Sequence, residues 1–176
     1  MTSRPATPAR IIIVMGVSGC GKTTFGVALA ERLDAEFIEG DRLHPASNID
    51  KMSRGEALQD EDRIPWLRSI VERARELQSE NRIVVITCSA LKKSYRDLLR
   101  TAGSAVEFVH LAGPMQTVLA RVGARGGHFM PASLVESQYA TLEPGTGESD
   151  IIELDLSLDT RQNLHRYLKT RRGHCN

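Results

Sequence analysis

The sequence predicts an α/β fold: a five-stranded parallel sheet flanked by helices on both faces. Short β-branched apolar runs alternate with longer segments in which apolar residues recur every three to four positions. Strands joined through helices lie parallel in one sheet. A glycine-rich stretch also separates the first run from the first amphipathic segment, a strand–turn–helix order that suits a buried parallel strand.

Ile11 to Met15 is an uninterrupted β-branched run and reads as the first strand. A helix follows from about Lys22 to Leu33, with Phe25, Leu29 and Leu33 on its buried face. Glu36 to Glu39 reads as a second strand, followed by a polar region over roughly 41–65. Asp60 and Asp62 are N-cap candidates for the next helix, with Pro65 expected in its first turn. Its stripe is Leu67, Ile70, Val71, Ala74 and Leu77. Ile83 to Cys88 is the third strand, and Leu91, Tyr95, Leu98 and Leu99 mark a helix after it. Val106 to Leu111 is the fourth strand, and a helix spans Met115 to Ala124. Residues 125–131 read as a glycine-bearing loop whose closing proline opens another helix. Ile151 to Asp155 is the fifth strand, and Leu164, Tyr167 and Leu168 define a C-terminal helix.

At 176 residues the chain suits one domain with its own core. Residues 1–9 are expected to be a disordered tail and 10–172 a single domain. A net charge of +1 gives no support for a nucleic-acid or anionic-membrane partner. Cys20, Cys88 and Cys175 are odd in number, widely spaced and without a C-x-x-C pair, so a disulfide framework or zinc site is not expected and a reducing cytoplasm fits. The first apolar run is too short for a signal peptide or a membrane span.

Gly16-Val-Ser-Gly-Cys-Gly-Lys-Thr23 fits G-x-x-x-x-G-K-[ST] in full, between a strand and a helix. Glycines let backbone N–H groups approach phosphates, and the helix N-terminus adds partial positive charge. The domain is therefore predicted to be a P-loop NTPase, with Gly16, Val17, Ser18, Gly19, Cys20, Gly21, Lys22, Thr23 and Thr24 holding ATP. Lys22 is a catalytic candidate for the β- and γ-phosphates, and Thr23 the candidate ligand for Mg²⁺. Cys20 reads as a small residue in a variable slot, the alternative being a thiolate stabilised by the helix N-terminus.

Acceptor-side candidates lie at the ends of the other strands, where open α/β sheets bind ligands. Asp41, after the second strand, is placed to orient and deprotonate an attacking hydroxyl; a turn residue is the alternative. Lys92 and Arg96, four apart, read as a carboxylate clamp or as a solvated basic face. Arg63 is a third cation, the alternative being an ion pair within residues 59–63. His44 is a candidate through its nearness to Asp41. The third strand has no acid at its tip, so metal binding rests on Thr23 and the nucleotide, with a possible share for Asp41. Arg121 and Arg125, with Gly126 and Gly127, suit a lid over roughly 121–135 that brings arginine to the transferring phosphoryl. The region 41–65 is the expected acceptor-binding segment.

The segments MGVSGCGKTT (15–24), EGDRLHPASNIDKM (39–52), LQDEDRIPWL (58–67), CSALKKSYRDLLR (88–100) and RGGHFMP (125–131) occur in order across nearly the whole chain. Together they resemble the small P-loop gluconokinases, relatives of shikimate and nucleoside-monophosphate kinases. The resemblance implies phosphotransfer from ATP to D-gluconate with Mg²⁺, giving 6-phosphogluconate and ADP, in a cytoplasmic homodimer. It implies that Asp41 faces the acceptor hydroxyl, that His44, Arg63, Lys92 and Arg96 contact the acceptor, and that Arg121 and Arg125 belong to the lid. Relatives often carry Asp-Gly-Asp where this chain has Glu39-Gly-Asp41, a departure that bears on the first acid and leaves Asp41 intact. The rival readings are a kinase for another small anionic acceptor, such as shikimate, or a non-catalytic ATP-binding regulator.

Overall fold

The computed structural model describes residues 9–80, 82–124 and 132–173. Five strands, β1 (Arg10–Met15), β2 (Glu36–Glu39), β3 (Ile83–Thr87), β4 (Val106–Ala112) and β5 (Ile151–Asp155), form one sheet in the order β2-β3-β1-β4-β5. Every pairing is parallel. The helices are α1 (Lys22–Leu33), α2 (Ala46–Ser53), α3 (Asp60–Ser79), α4 (Lys93–Arg100), α5 (Met115–Ala124), α6 (Ala132–Thr141) and α7 (Thr160–Gly173). The predicted P-loop architecture is therefore the one found.

The central strand explains why both faces are covered. Side chains alternate across a sheet. Ile11, Ile13 and Met15 of β1 enter a core built with Trp66, Leu67 and Ile70 of α3 and Tyr95 and Leu99 of α4. Ile12 and Val14 enter a second core with Phe25 and Leu29 of α1, Val118 of α5, Val135 of α6 and Tyr167 of α7. Both sets are apolar because neither face meets water.

Three expectations need correction. Within 41–65 the chain forms a short 3-10 turn, Gly40–Leu43, and then α2. The cap of α3 is Gln59, whose N–H donates to Asp62 Oδ2 at 2.9 Å; Asp60 and Asp62 are themselves helical. Pro65 consequently lies deeper in α3 than the first turn. Glu61, four residues earlier and missing its N–H partner, is exposed, so water can satisfy its carbonyl. The expected tail, apart from Ala9, lies outside the described residues.

Candidate active site

Gly16, Gly19 and Gly21 all have positive φ, which bends the loop between β1 and α1 into a cradle. At Gly19 a Cβ would strike Val122 of α5, so only glycine lets the loop run this close to that helix. Lys22 turns back over the loop, its Nζ donating to Gly16 O and Val17 O at 3.2 Å each. Thr23 Oγ1 donates to Glu39 Oε2 at 2.7 Å. Thr87, at the end of β3, donates to the other oxygen of that carboxylate and receives the Gly40 N–H at 3.1 Å. Glu39 is thus tied to the hydroxyl expected to meet the metal, a connection that the sequence reading left out of the site.

Cys20 is buried, and burial raises its thiol pKa against the opposing pull of Lys22. A thiol pKa moved in that direction weighs against the thiolate alternative. Cys20, Gly21 and Thr24 line a cavity of about 280 Å³ shared with Arg121, Leu156 and Asn163. Arg121 stands in the last turn of α5 and not in a loop. Its guanidinium donates to Cys20 O at 3.1 Å and also to Leu156 O. It therefore forms a fixed wall on the phosphate-loop side instead of part of a lid. Arg125, Gly126 and Gly127 lie outside the described residues.

On the acceptor side, Asp41 sits in the 3-10 turn that follows β2. Its neighbour Gly40 runs so close to β3 that a Cβ there would strike Thr87 O. The buried indole of Trp66 donates to Gly40 O at 2.8 Å and stacks on His44 with 4.1 Å between ring centroids. Burial lowers the His44 pKa, while Asp41 pulls it back up. Asn48 Nδ2 lies 3.2 Å from His44 Nδ1 and donates to Asp62 O at 2.8 Å. Arg63 has no ion-pair partner among the described residues, its Nε making only a 3.4 Å bond to Leu58 O. It is therefore available to an anion, against the alternative of a local ion pair.

The expected Lys92–Arg96 clamp does not form. Lys92 precedes α4 and pairs with Asp60, at 2.8 Å to each oxygen. The Tyr95 hydroxyl donates to the same carboxylate, and these two hydrogen bonds hold Asp60 below the usual carboxylate range. Arg96 is fully buried. Its Nε and Nη2 grip Glu148 at 3.0 and 2.7 Å, and its Nη1 donates to Ala90 O and Leu91 O at 3.0 and 3.2 Å. With all three of its nitrogens hydrogen-bonded inside the protein, Arg96 is a structural residue and not an acceptor contact. Arg100 joins Glu148 to Asp150, and the two arginines, Arg96 first, bring the Glu148 carboxyl down to about 2.

Cys88 stands at the end of the strand that lies between the phosphate loop and the acid turn. It follows β3 and is fully buried. Burial pushes its thiol up to about 12, and the charges of Asp41, Lys22 and Arg63 all act on it. Because β2, β3 and β1 are parallel neighbours, the turn bearing Asp41 and the phosphate loop bearing Lys22 leave the same edge of the sheet, on either side of the strand that leads into Cys88. Hard oxygen donors at Thr23 and Glu39 suit Mg²⁺, which takes one or two carboxylates beside phosphate oxygens and water.

A parallel sheet whose first strand delivers a complete phosphate loop, and whose second strand ends in an acid turn at the same edge, defines a P-loop kinase. A family model described as "AAA domain" matches residues 11–144. The thermosensitive gluconokinase of Escherichia coli (strain K12) is 50% identical over 148 residues, 84% of this chain and 79% of that protein. The crystal structure of a gluconokinase from Sinorhizobium meliloti 1021 superposes with a TM-score of 0.83 at 41% identity, covering 96% of this chain and 98% of that one. An unliganded sugar kinase from Janibacter sp. HTCC2649 gives 0.87 at 46% identity, over 92% and 94% of the two chains. The chain belongs to the gluconokinase family.

Proposed function

We propose that this protein transfers the γ-phosphoryl group of ATP to the primary hydroxyl of D-gluconate, giving 6-phospho-D-gluconate and ADP. The observation that supports this best is the hydrogen bond from Thr23 to Glu39 at 2.7 Å, which ties the phosphate loop to the strand end whose next turn bears Asp41. The relatives named gluconokinase supply the acceptor's identity. Residues Gly16 to Thr24 and Arg121 hold the nucleotide. Asp41 orients the attacking hydroxyl and takes its proton, while Lys22 stabilises charge spreading over the transferring group. Arg63 and His44 are the acceptor contacts this geometry favours, and Lys92 joins them if the acceptor carboxylate displaces Asp60. Thr23 and Glu39 would hold Mg²⁺, which when bound neutralises phosphate charge.

We carry two further expectations as part of this reading: closure by the segment containing Arg125, and a homodimer in solution. Among the described residues no helix is long and apolar enough to cross a membrane. The deciding experiment offers Mg-ATP with gluconate, gluconamide, other sugar acids and shikimate, and follows ADP. Turnover on gluconate, weak turnover on gluconamide and none after chelation of the cation is the expected pattern. Equal turnover on gluconamide would remove the role given to Arg63, and activity on shikimate alone would replace the acceptor.

A further inference from the structure

We propose that Gln138 is a positioning residue for phosphoryl transfer, holding the Lys22 ammonium in place through the Val17–Ser18 peptide; this rests on the kinase reading above. The carbonyl of that peptide, Val17 O, accepts from Lys22 Nζ at 3.2 Å. Its N–H, on Ser18, donates to Gln138 Oε1 at 2.7 Å. A peptide unit is planar, so fixing the direction of the N–H fixes the direction of the carbonyl. Gln138 Nε2 also donates to Ser18 Oγ at 3.0 Å, which sets the rotation of the carboxamide. A primary amide suits this place because it accepts through one atom and donates through the other without adding charge beside bound phosphates.

Lys22 needs such support. Among the described residues it has no carboxylate partner, and it donates to the carbonyls of Gly16 and Val17. Rotation of the Val17–Ser18 peptide would remove one of them. Gln138 is itself set on a firm base. Val135, one turn earlier in α6, is fully buried. The Tyr139 hydroxyl donates to Gly113 O at 2.9 Å. Beyond the helix, Glu143 N–H donates to Leu91 O at 2.8 Å, and its carboxylate receives the Lys93 N–H at 2.5 Å. The stretch from Gln138 to Glu143 therefore spans from the phosphate loop to the turn bearing Lys92, so that one element sets the position of both sides of the reaction.

The test compares wild type with Gln138→Leu, which loses both bonds, and Gln138→Glu, whose carboxylate still accepts from the Ser18 N–H but adds a negative charge. Rates with ATP and gluconate, melting temperature, and ATP affinity by calorimetry are measured for each. The Leu variant should lose roughly ten- to a hundredfold in kcat, the scale of a misplaced catalytic group, with melting temperature close to wild type. The Glu variant should keep more of kcat than the Leu variant while its KM for ATP rises. Wild-type kcat and ATP KM in the Leu variant would overturn the proposal, as would a loss of rate that follows melting temperature alone. If the Leu variant does not fold, the Glu variant decides, and an unchanged ATP KM there overturns it. A wild type inactive on gluconate would sink the acceptor assignment instead; the ATP titrations would still decide this proposal, unchanged affinity in both variants overturning it.

Discussion

Replacing Arg96 with methionine separates a binding role from a structural one. The guanidinium is fully buried, makes a two-point contact with Glu148 and satisfies the carbonyls of Ala90 and Leu91. Those carbonyls belong to a strained turn, because Ala90 has a φ of 45°, where only glycine rests comfortably. Methionine fills similar space but leaves Glu148 with Arg100 alone, Ala90 O without its arginine donor and Leu91 O with only the Glu143 N–H. Breaking a buried pair from one side costs about 3–5 kcal/mol. In a domain of this length each kcal/mol moves the melting temperature by about 2–4 °C, so a fall of about 6–20 °C is expected. Calorimetry measures the fall, and steady-state kinetics at a temperature where the variant remains folded should give a gluconate KM close to wild type. An unchanged melting temperature with a KM raised by about a hundredfold would refute the structural assignment and restore the clamp.

Asp41→Asn should lower kcat by about 10²–10⁴, the range for loss of a general base, with little change in KM for ATP; a large loss of ATP affinity would move Asp41 to the nucleotide side. His44 gives a pH effect. Burial lowers its folded pKa below the ordinary value of about 6.5, so its contribution to stability is complete above that pH and is lost as pH falls below it, where the unfolded chain takes up the proton first. Urea unfolding at pH 8 and pH 5.5 should show wild type losing more stability than His44→Phe, which keeps the stack on Trp66; parallel losses would discard the effect.

The five strands and most helices were legible because they bury apolar residues at the periods a sequence displays. The element missed was α2, whose apolar residues Ile49 and Met52 are exposed while the buried residue is Asn48, so no buried apolar stripe announces it. The phosphate loop was legible as a contiguous motif whose geometry is local. Arg96 was misread because its partner Glu148 lies 52 residues away, and nothing at position 96 distinguishes a solvated arginine from one paired in the core. Gln138 is 120 residues from Ser18 and carries no motif at all. Glu39 lay beside Asp41 in plain view; the hydrogen bond from Thr23 shows that its added methylene still reaches the phosphate loop.

Trp66 couples two scales of the molecule. Its indole reaches from α3 to the carbonyl of Gly40 and lies against the His44 ring, so the acid turn rides on a helix twenty residues long. The residues on either side of Asp41, Gly40 and His44, are thus both held by one side chain of that helix. Substitutions along α3 that displace this indole are therefore expected to reach the acid turn, and through it the rate.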